Sequence, residues 1–276
     1  TGVGAIMGDK KLKAIAVNGS KDVNLARPVP FYELCDEILN RSDKNIEYED
    51  VEQHNESHKR RMNGTHYRNF ELFKPWQEAG QVHMDFLAKR EARKIGCFNC
   101  QKTCIRSPHL PDGQPVFIKC RSPFRYINAA DLQDYAFNLR CVSLAQRHGL
   151  DIAGSSATAC VFAIDLYQKG IITKEDTDGM ELEWGNPEVI PALLEKIVHR
   201  EGIGDVLANG VYETARRIGR GAEQYAYHIR KLEPRGQTMR LNMAAGYLLS
   251  DRQDNSKFGG IAGVGGGEGG EENERY

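Results

Sequence analysis

A mainly α fold is predicted by three features of the sequence. Apolar residues recur at helical spacing in stretch after stretch beyond Pro30, glycines and an Asn-Pro pair punctuate those stretches, and a single run ahead of them has strand character. That run, residues 12–17 (Leu-Lys-Ala-Ile-Ala-Val), reads as a strand after the glycine-rich turn from Gly2 to Gly8, the last strand of a mostly missing sheet. From Pro30 the period turns helical, with Phe31, Leu34, Cys35 and Ile38 spaced for one buried face. Residues 42–61 are polar and aperiodic, which predicts a loop or weak helix. Residues 131–144 set Leu132, Tyr135, Leu139 and Val142 on one face of a helix that stops near Gly149. Ser155 or Ser156 then caps a helix ending at Gly170. Asn186 and Pro187 read as N-cap and first helical position of the next, with Ile190, Leu193, Leu194 and Ile197 as its stripe and His199 and Arg200 in its last turn. A final helix from about Gly204 is predicted to bury Val206, Leu207, Val211 and Ile218 and to stop at Gly219. Cys35, Cys141, Cys160, Tyr167 and Trp184 read as packing residues.

Charge points to no particular class of partner. Lys plus Arg number 37 against 38 Asp plus Glu in 276 residues, so no single-sign field points to nucleic acid, an anionic membrane or a polyanionic substrate. The sequence has no apolar run of about 18 residues and no signal-peptide pattern, which predicts a cytoplasmic location. Seven cysteines, an odd number, suit metal chemistry in a reducing compartment better than a disulfide framework. Both ends read as cut: the chain opens at Thr1 inside a glycine-rich turn and closes in a glycine-rich tail expected to be disordered from Gly259.

Three motifs carry chemistry. In Cys97-Phe-Asn-Cys100-Gln-Lys-Thr-Cys104, three thiols on a short turn can converge on one soft metal centre. Spacing leaves the metal open: an iron-sulfur cluster, a zinc ion completed by His109, or three unrelated buried cysteines all fit. The turn Gln146-Arg-His-Gly149-Leu150-Asp151 offers a glycine where backbone can approach a ligand and a carboxylate that accepts hydrogen bonds; it reads equally as an ordinary helix connection with a capping Asp. The amides of the Gly2–Gly8 turn could bind phosphate, as those of any tight turn could.

Taken in order, these segments resemble the aldehyde:ferredoxin oxidoreductase family. The stretch Gly4-Ala-Ile-Met-Gly-Asp-Lys-Lys-Leu-Lys-Ala-Ile-Ala-Val17 is similar to the turn and strand closing that family's pterin-binding domain, and Cys97, Cys100 and Cys104 match its cluster motif. Gly149-Leu-Asp151, residues 166–173, Trp184-Gly-Asn186 and residues 200–211 continue the resemblance, which covers residues 2 to about 252. It implies helical cofactor-binding domains following the last strand of a truncated N-terminal β-sheet pterin domain. The segments would be residues 1–26 as the sheet remnant, 27–232 as the helical domain with cluster and pterin motifs, 233–258 as the start of a second helical domain, and 259–276 as a disordered or truncated tail. It implies a tungsten or molybdenum bis-pterin centre and a [4Fe-4S] cluster held by Cys97, Cys100, Cys104 and a fourth ligand outside this chain. Gln146, Leu150 and Asp151 would contact a pterin, and Thr1 and Gly2 would lie near pterin phosphates and a bridging magnesium. Electrons would pass to ferredoxin or an electron-transfer subunit, and a homo-oligomer is left open.

Two departures bear on substrate. Aldehyde-oxidising members share a Ser-x-Arg-Gly-x-x-His stretch, where this chain has Ser250-Asp-Arg-Gln-Asp-Asn-Ser256, and a hydroxyl cannot act as an acid or base near neutrality as an imidazole does. The segment Phe117-Ile-Lys-Cys120-Arg-Ser-Pro123 resembles the tungsten subunit of class II benzoyl-CoA reductase, which makes Cys120 the candidate metal-ligating thiolate and Glu49 with His58 a candidate proton relay; His54 or His66 could replace His58. Cys120 reads otherwise as a small buried residue ending a strand. The substrate is then an aldehyde or an aromatic acyl-CoA, whose phosphates the Lys59-Arg60-Arg61 run could meet. A zinc-binding helical module or an inactive fragment are the readings from other classes.

Overall fold

The computed structural model describes residues 3–21, 23–46, 64–75, 93–95, 105–110, 112–119, 126, 131–132, 134–151 and 155–233. The chain divides into two compact units, residues 1–50 and 51–276.

In the first unit the glycine-rich segment is a short helix, α1 (Val3–Asp9), and not a turn. Its last turn closes through Lys10 N to Ile6 O at 3.1 Å and Leu12 N to Met7 O at 2.8 Å, with Lys11 left-handed at φ 55°. Residues 12–17 do not form the predicted strand: they have no ladder partner among the described residues, and Ile15 and Val17 are 72% and 88% exposed. Apolar alternation creates a strand only where a second strand takes up its amides and carbonyls. The helix predicted from Pro30 is present as α2 (Pro28–Ile46), begun by a proline at its first position. Its expected buried face is a second correction, because Phe31, Leu34 and Ile38 are open to solvent and Cys35 is half-buried. An amphipathic stripe is buried only where a neighbour supplies a matching apolar face.

The first described element of the second unit is a hairpin that the sequence did not reveal. Strand β1 (Gly64–Tyr67) pairs antiparallel with β2 (Leu72–Pro75) across a turn whose Arg68, Asn69 and Phe70 are all left-handed, with φ of 46°, 52° and 70°. Three such non-glycine residues in succession cost free energy, and two polar clamps hold them. Asp131 binds Arg68 at 2.8 Å and Lys74 at 2.8 Å. Asn69 donates to Asp165 at 2.8 Å and to the Tyr225 carbonyl at 3.1 Å, and Lys169 joins Asp165 to Glu71. Burial outweighs these partners and raises the Asp165 carboxyl above its ordinary range. A small antiparallel sheet follows, with β4 (Ile105–Ser107) between β3 (Arg93–Ile95) and β5 (Ile118–Lys119).

The helical body matches the predicted mainly α class. Helix α3 (Tyr135–Arg147) starts where Asp134 caps it, accepting from Ala136 N at 2.8 Å and Phe137 N at 3.2 Å. Tyr135, Leu139 and Val142 are buried as expected. Helix α4 (Ser155–Gln168) has no solvent-facing polar stripe along its middle, and residues Val161 to Ile164 are all buried, so it runs through the core. Helix α5 (Val189–His199) begins later than Asn186 and Pro187 predicted. Asn186 instead accepts from Glu188 N at 3.0 Å in a turn that leads into the helix, and Arg200 sits beyond the last turn in a left-handed cap at φ 53°. Its stripe Ile190, Leu193, Leu194 and Ile197 is buried as predicted. The last predicted helix is two: α6 (Ile203–Leu207) and α7 (Val211–Ile218), separated at Gly210 with φ 82° and followed by a 3-10 turn (Ala222–Tyr225). The break persists because Glu233 accepts from Val211 N at 2.8 Å, and a Cβ on Gly210 would lie 2.8 Å from that same carboxylate oxygen. The core joins α3 to α7 with Val116 and Tyr126.

Candidate cofactor site

Helix α3 ends in the turn that carries the candidate ligand contacts. Gly149 is left-handed at φ 69°, Gly149 N bonds to Gln146 O at 3.2 Å, and Leu150 N reaches back to Ala145 O at 2.8 Å. This closure satisfies the last carbonyls of the helix and requires the conformation that glycine adopts most cheaply. Leu150 packs against the core, which anchors the turn, while the Asp151 side chain is exposed beyond it. Among the described residues, a Cβ built on Gly149 would meet nothing within 4 Å, so the turn's backbone is open to approach on that side.

Gln146 is half-buried and donates its amide to the Phe117 carbonyl. That bond ties the turn to the segment running through β5 toward Cys120. Lys119 of β5 pairs with Ile105, the residue after Cys104, and Ile105 pairs on its other side with Ile95, two residues before Cys97. The ladder therefore holds together the two chain ends between which the three cysteines fall. Cys97, Cys100, Cys104, Cys120, Glu49, His54, His58, Thr1 and Gly2 themselves lie outside the described residues.

His109, the fourth ligand of the zinc alternative, is exposed and forms an isolated bridge with Pro115. His66 stands in β1 against the rings of Phe70 and Phe73, at 5.2 Å and 5.4 Å between centroids. Its Nδ1 is buried without a hydrogen-bond partner among the described residues, and burial lowers its pKa, so the neutral imidazole is favoured.

Sequence reasoning missed the groups behind the turn. Ser156, read only as a helix cap, donates its hydroxyl to the Asp151 carbonyl at 2.6 Å, and the Tyr126 hydroxyl lies 3.0 Å from Ser156 Oγ. A serine just after Gly-Leu-Asp was visible as a local signal for the first contact. Nothing local signals the second, which links residues thirty positions apart. As for the implied cofactors, an exposed carboxylate and a side-chain amide beside glycine backbone have the chemistry to meet a pterin, and the thiols, which lie outside the described residues, have that of soft-metal ligands.

Comparison with known proteins gives a consistent outcome. The model of the family "Aldehyde ferredoxin oxidoreductase, domains 2 & 3" matches residues 55–259. A tungsten-containing aldehyde ferredoxin oxidoreductase from Pyrococcus abyssi is 30% identical over 254 residues, covering 85% of this chain and 40% of that protein. A WOR-like subunit of an aliphatic sulfonate oxidoreductase from Pyrococcus furiosus is 47% identical over 73 residues, 25% of this chain and 12% of that subunit. Among solved structures, the active site complex BamBC of benzoyl coenzyme A reductase with 1,5-dienoyl-CoA matches with a TM-score of 0.74 and 31% identity, over 91% of this chain and 41% of that one. The chain thus spans about two fifths of the length of such relatives.

Proposed function

The chain belongs to the aldehyde ferredoxin oxidoreductase family, and on that premise we propose that it contributes the cluster and pterin contacts of a tungsten or molybdenum oxidoreductase. Cys97, Cys100 and Cys104 hold a [4Fe-4S] cluster with a fourth ligand from elsewhere, and Asp151, Leu150 and Gln146 hold one pterin. Thr1 and Gly2 approach the pterin phosphates and a magnesium ion. The domain boundaries at residues 26, 232 and 258 belong to the same reading. The observation that supports it most is the Gln146 bond to the Phe117 carbonyl, which connects the pterin turn to the segment entering Cys120 and, through β5 and β4, to the cysteine run.

When bound, the metallopterin would supply two-electron redox chemistry and the cluster one-electron transfer to ferredoxin or a partner subunit. The chain's own residues orient these groups. The Asp151 carboxylate accepts from pterin N–H groups, the open backbone at Gly149 allows close approach, and the thiolates fix the cluster. Glu49 and His58 carry protons to the substrate, with His54 or His66, the latter favoured neutral by burial, as alternatives to His58.

For the substrate, an aromatic acyl-CoA is favoured over an aldehyde by two features, the BamBC likeness and Ser256 where aldehyde oxidisers have histidine; on that reading Cys120 would be the metal-ligating thiolate. The identity to tungsten aldehyde oxidoreductases supports the aldehyde as the second reading. Among the described residues no helix is long and apolar enough to cross a membrane.

The test is metal and substrate analysis of protein purified without oxygen. Brown protein containing iron and tungsten or molybdenum is expected, with iron lost in Cys100→Ser. Colourless protein holding one zinc would overturn the proposal. Brisk acetaldehyde oxidation by Cys120→Ala would remove the acyl-CoA reading and leave the aldehyde reading standing.

A further inference from the structure

Behind the Gly149–Asp151 turn lies a line of buried hydroxyls with a defined direction. Ser156 has one hydroxyl proton, and it is spent on the Asp151 carbonyl at 2.6 Å, since a carbonyl can only accept. The Tyr126 phenol, 3.0 Å away, must therefore donate to Ser156 Oγ. Tyr126 is fully buried, and burial drives its pKa far above the ordinary range, so the phenol keeps the proton that this bond needs. Hydrogen bonds aligned in one direction polarise and strengthen one another.

The fold accepts a cost to keep Tyr126 in place. Asn138 on α3 is fully buried; its Oδ1 accepts from Tyr126 N at 3.3 Å, while its Nδ2 has no hydrogen-bond partner among the described residues. An orphaned buried donor is expensive, and such costs persist where the surrounding structure requires a particular geometry. The atoms fixed by this expense lead to one place: the carbonyl of Asp151, which Ser156 N also approaches at 3.4 Å.

We propose that Asn138, Tyr126 and Ser156 form a brace that presets the backbone of the Gly149–Asp151 turn for its cofactor, with Tyr126 and Ser156 acting as positioning residues. Helix α3 supplies both ends of the device: its C-terminus delivers the turn, and its Asn138 side chain holds the tyrosine that, through α4, holds the turn's last carbonyl. A turn set in advance loses less conformational entropy on binding than one ordered by the ligand. The role as a cofactor brace rests on the reading of Asp151 as a pterin contact.

The experiment compares Ser156→Ala, Ser156→Thr and Tyr126→Phe in the cofactor-loaded protein by amide hydrogen exchange, with tungsten, molybdenum and pterin content measured after gel filtration. Exchange over residues 146–151 should rise about tenfold in Ser156→Ala and Tyr126→Phe, the response to one lost buried bond, while residues 189–199 of α5 stay protected. Cofactor content should fall in both, and Ser156→Thr, which keeps the hydroxyl, should restore exchange and content. Unchanged exchange over 146–151 in both variants, or no restoration by threonine, would overturn the brace. Asp151→Asn separates the two ideas: full cofactor content there would overturn the pterin reading, and the exchange result alone would then decide the brace.

Discussion

Replacing Gly204 by alanine would test the close contact between α5 and α6. A Cβ at this position would lie 2.1 Å from the carbonyl carbon of Lys196, 2.2 Å from its oxygen and 2.6 Å from Ile197 N. All three are main-chain atoms of α5, so no flexible side chain can move aside. Carbon atoms pack at about 3.5 Å, and α6 would have to lift by roughly 1.4 Å. Ile203 and Leu207, 5% and 2% exposed, would lose part of their burial as it did. Overpacking at about 1–3 kcal/mol and partial loss of about 2 kcal/mol for each apolar side chain together give a destabilisation of about 3 kcal/mol. Thermal unfolding should shift by roughly 9 °C at about 3 °C per kcal/mol. Gly4→Ala is the control, because a Cβ there meets nothing within 4 Å and lies in the other unit. Urea denaturation gives the free energy directly. A Gly204→Ala midpoint within about 0.5 kcal/mol of the parent would refute the contact between α5 and α6.

Two further outcomes follow from local geometry. At Gly149, φ is 69° with open space around the Cβ position, so alanine should cost about 1 kcal/mol from backbone conformation alone and asparagine less; thermal midpoints in the order Gly, Asn, Ala are expected, and equal midpoints would contradict the left-handed turn. Asp176 is held by Arg220 through bonds of 2.8 Å and 2.9 Å and by Thr173 N at 2.8 Å, which draw its pKa from 3.8 to about 2. Its contribution is present above pH 3.8 and lost as pH falls through about 2, because the unfolded chain takes up the proton first. The pair is well exposed, so solvent screening keeps the effect small. Asp176→Asn should flatten the stability profile in that window, and an unaltered acid limb would show that the Arg220 pair contributes nothing.

What could be read from the sequence follows from how local each signal is. The stripe Ile190, Leu193, Leu194 and Ile197 is a helical period, and it is buried as predicted. Gly149 as a stop and the Gly-Leu-Asp that follows could be read because a helix end writes its chemistry within a few residues. The strands β1 to β5 are two to four residues long, too short for a period of two to stand out, and each exists only through pairing, β1 with the other arm of its hairpin and β3 to β5 with segments ten or more residues away.

By itself, then, the sequence determined the mainly helical class, the core stripes of α3 and α5, the cysteine spacing and the family. Only the tertiary structure decided that residues 12–17 pair with no strand among the described residues, that Gly210 splits the last helix, and that Gln146 reaches Phe117 while Tyr126 reaches Ser156. The physical reason is range: helices and caps are set by bonds within about four residues. Ladders, clamps and buried hydroxyl chains depend on which distant atoms the packed core brings within hydrogen-bond reach.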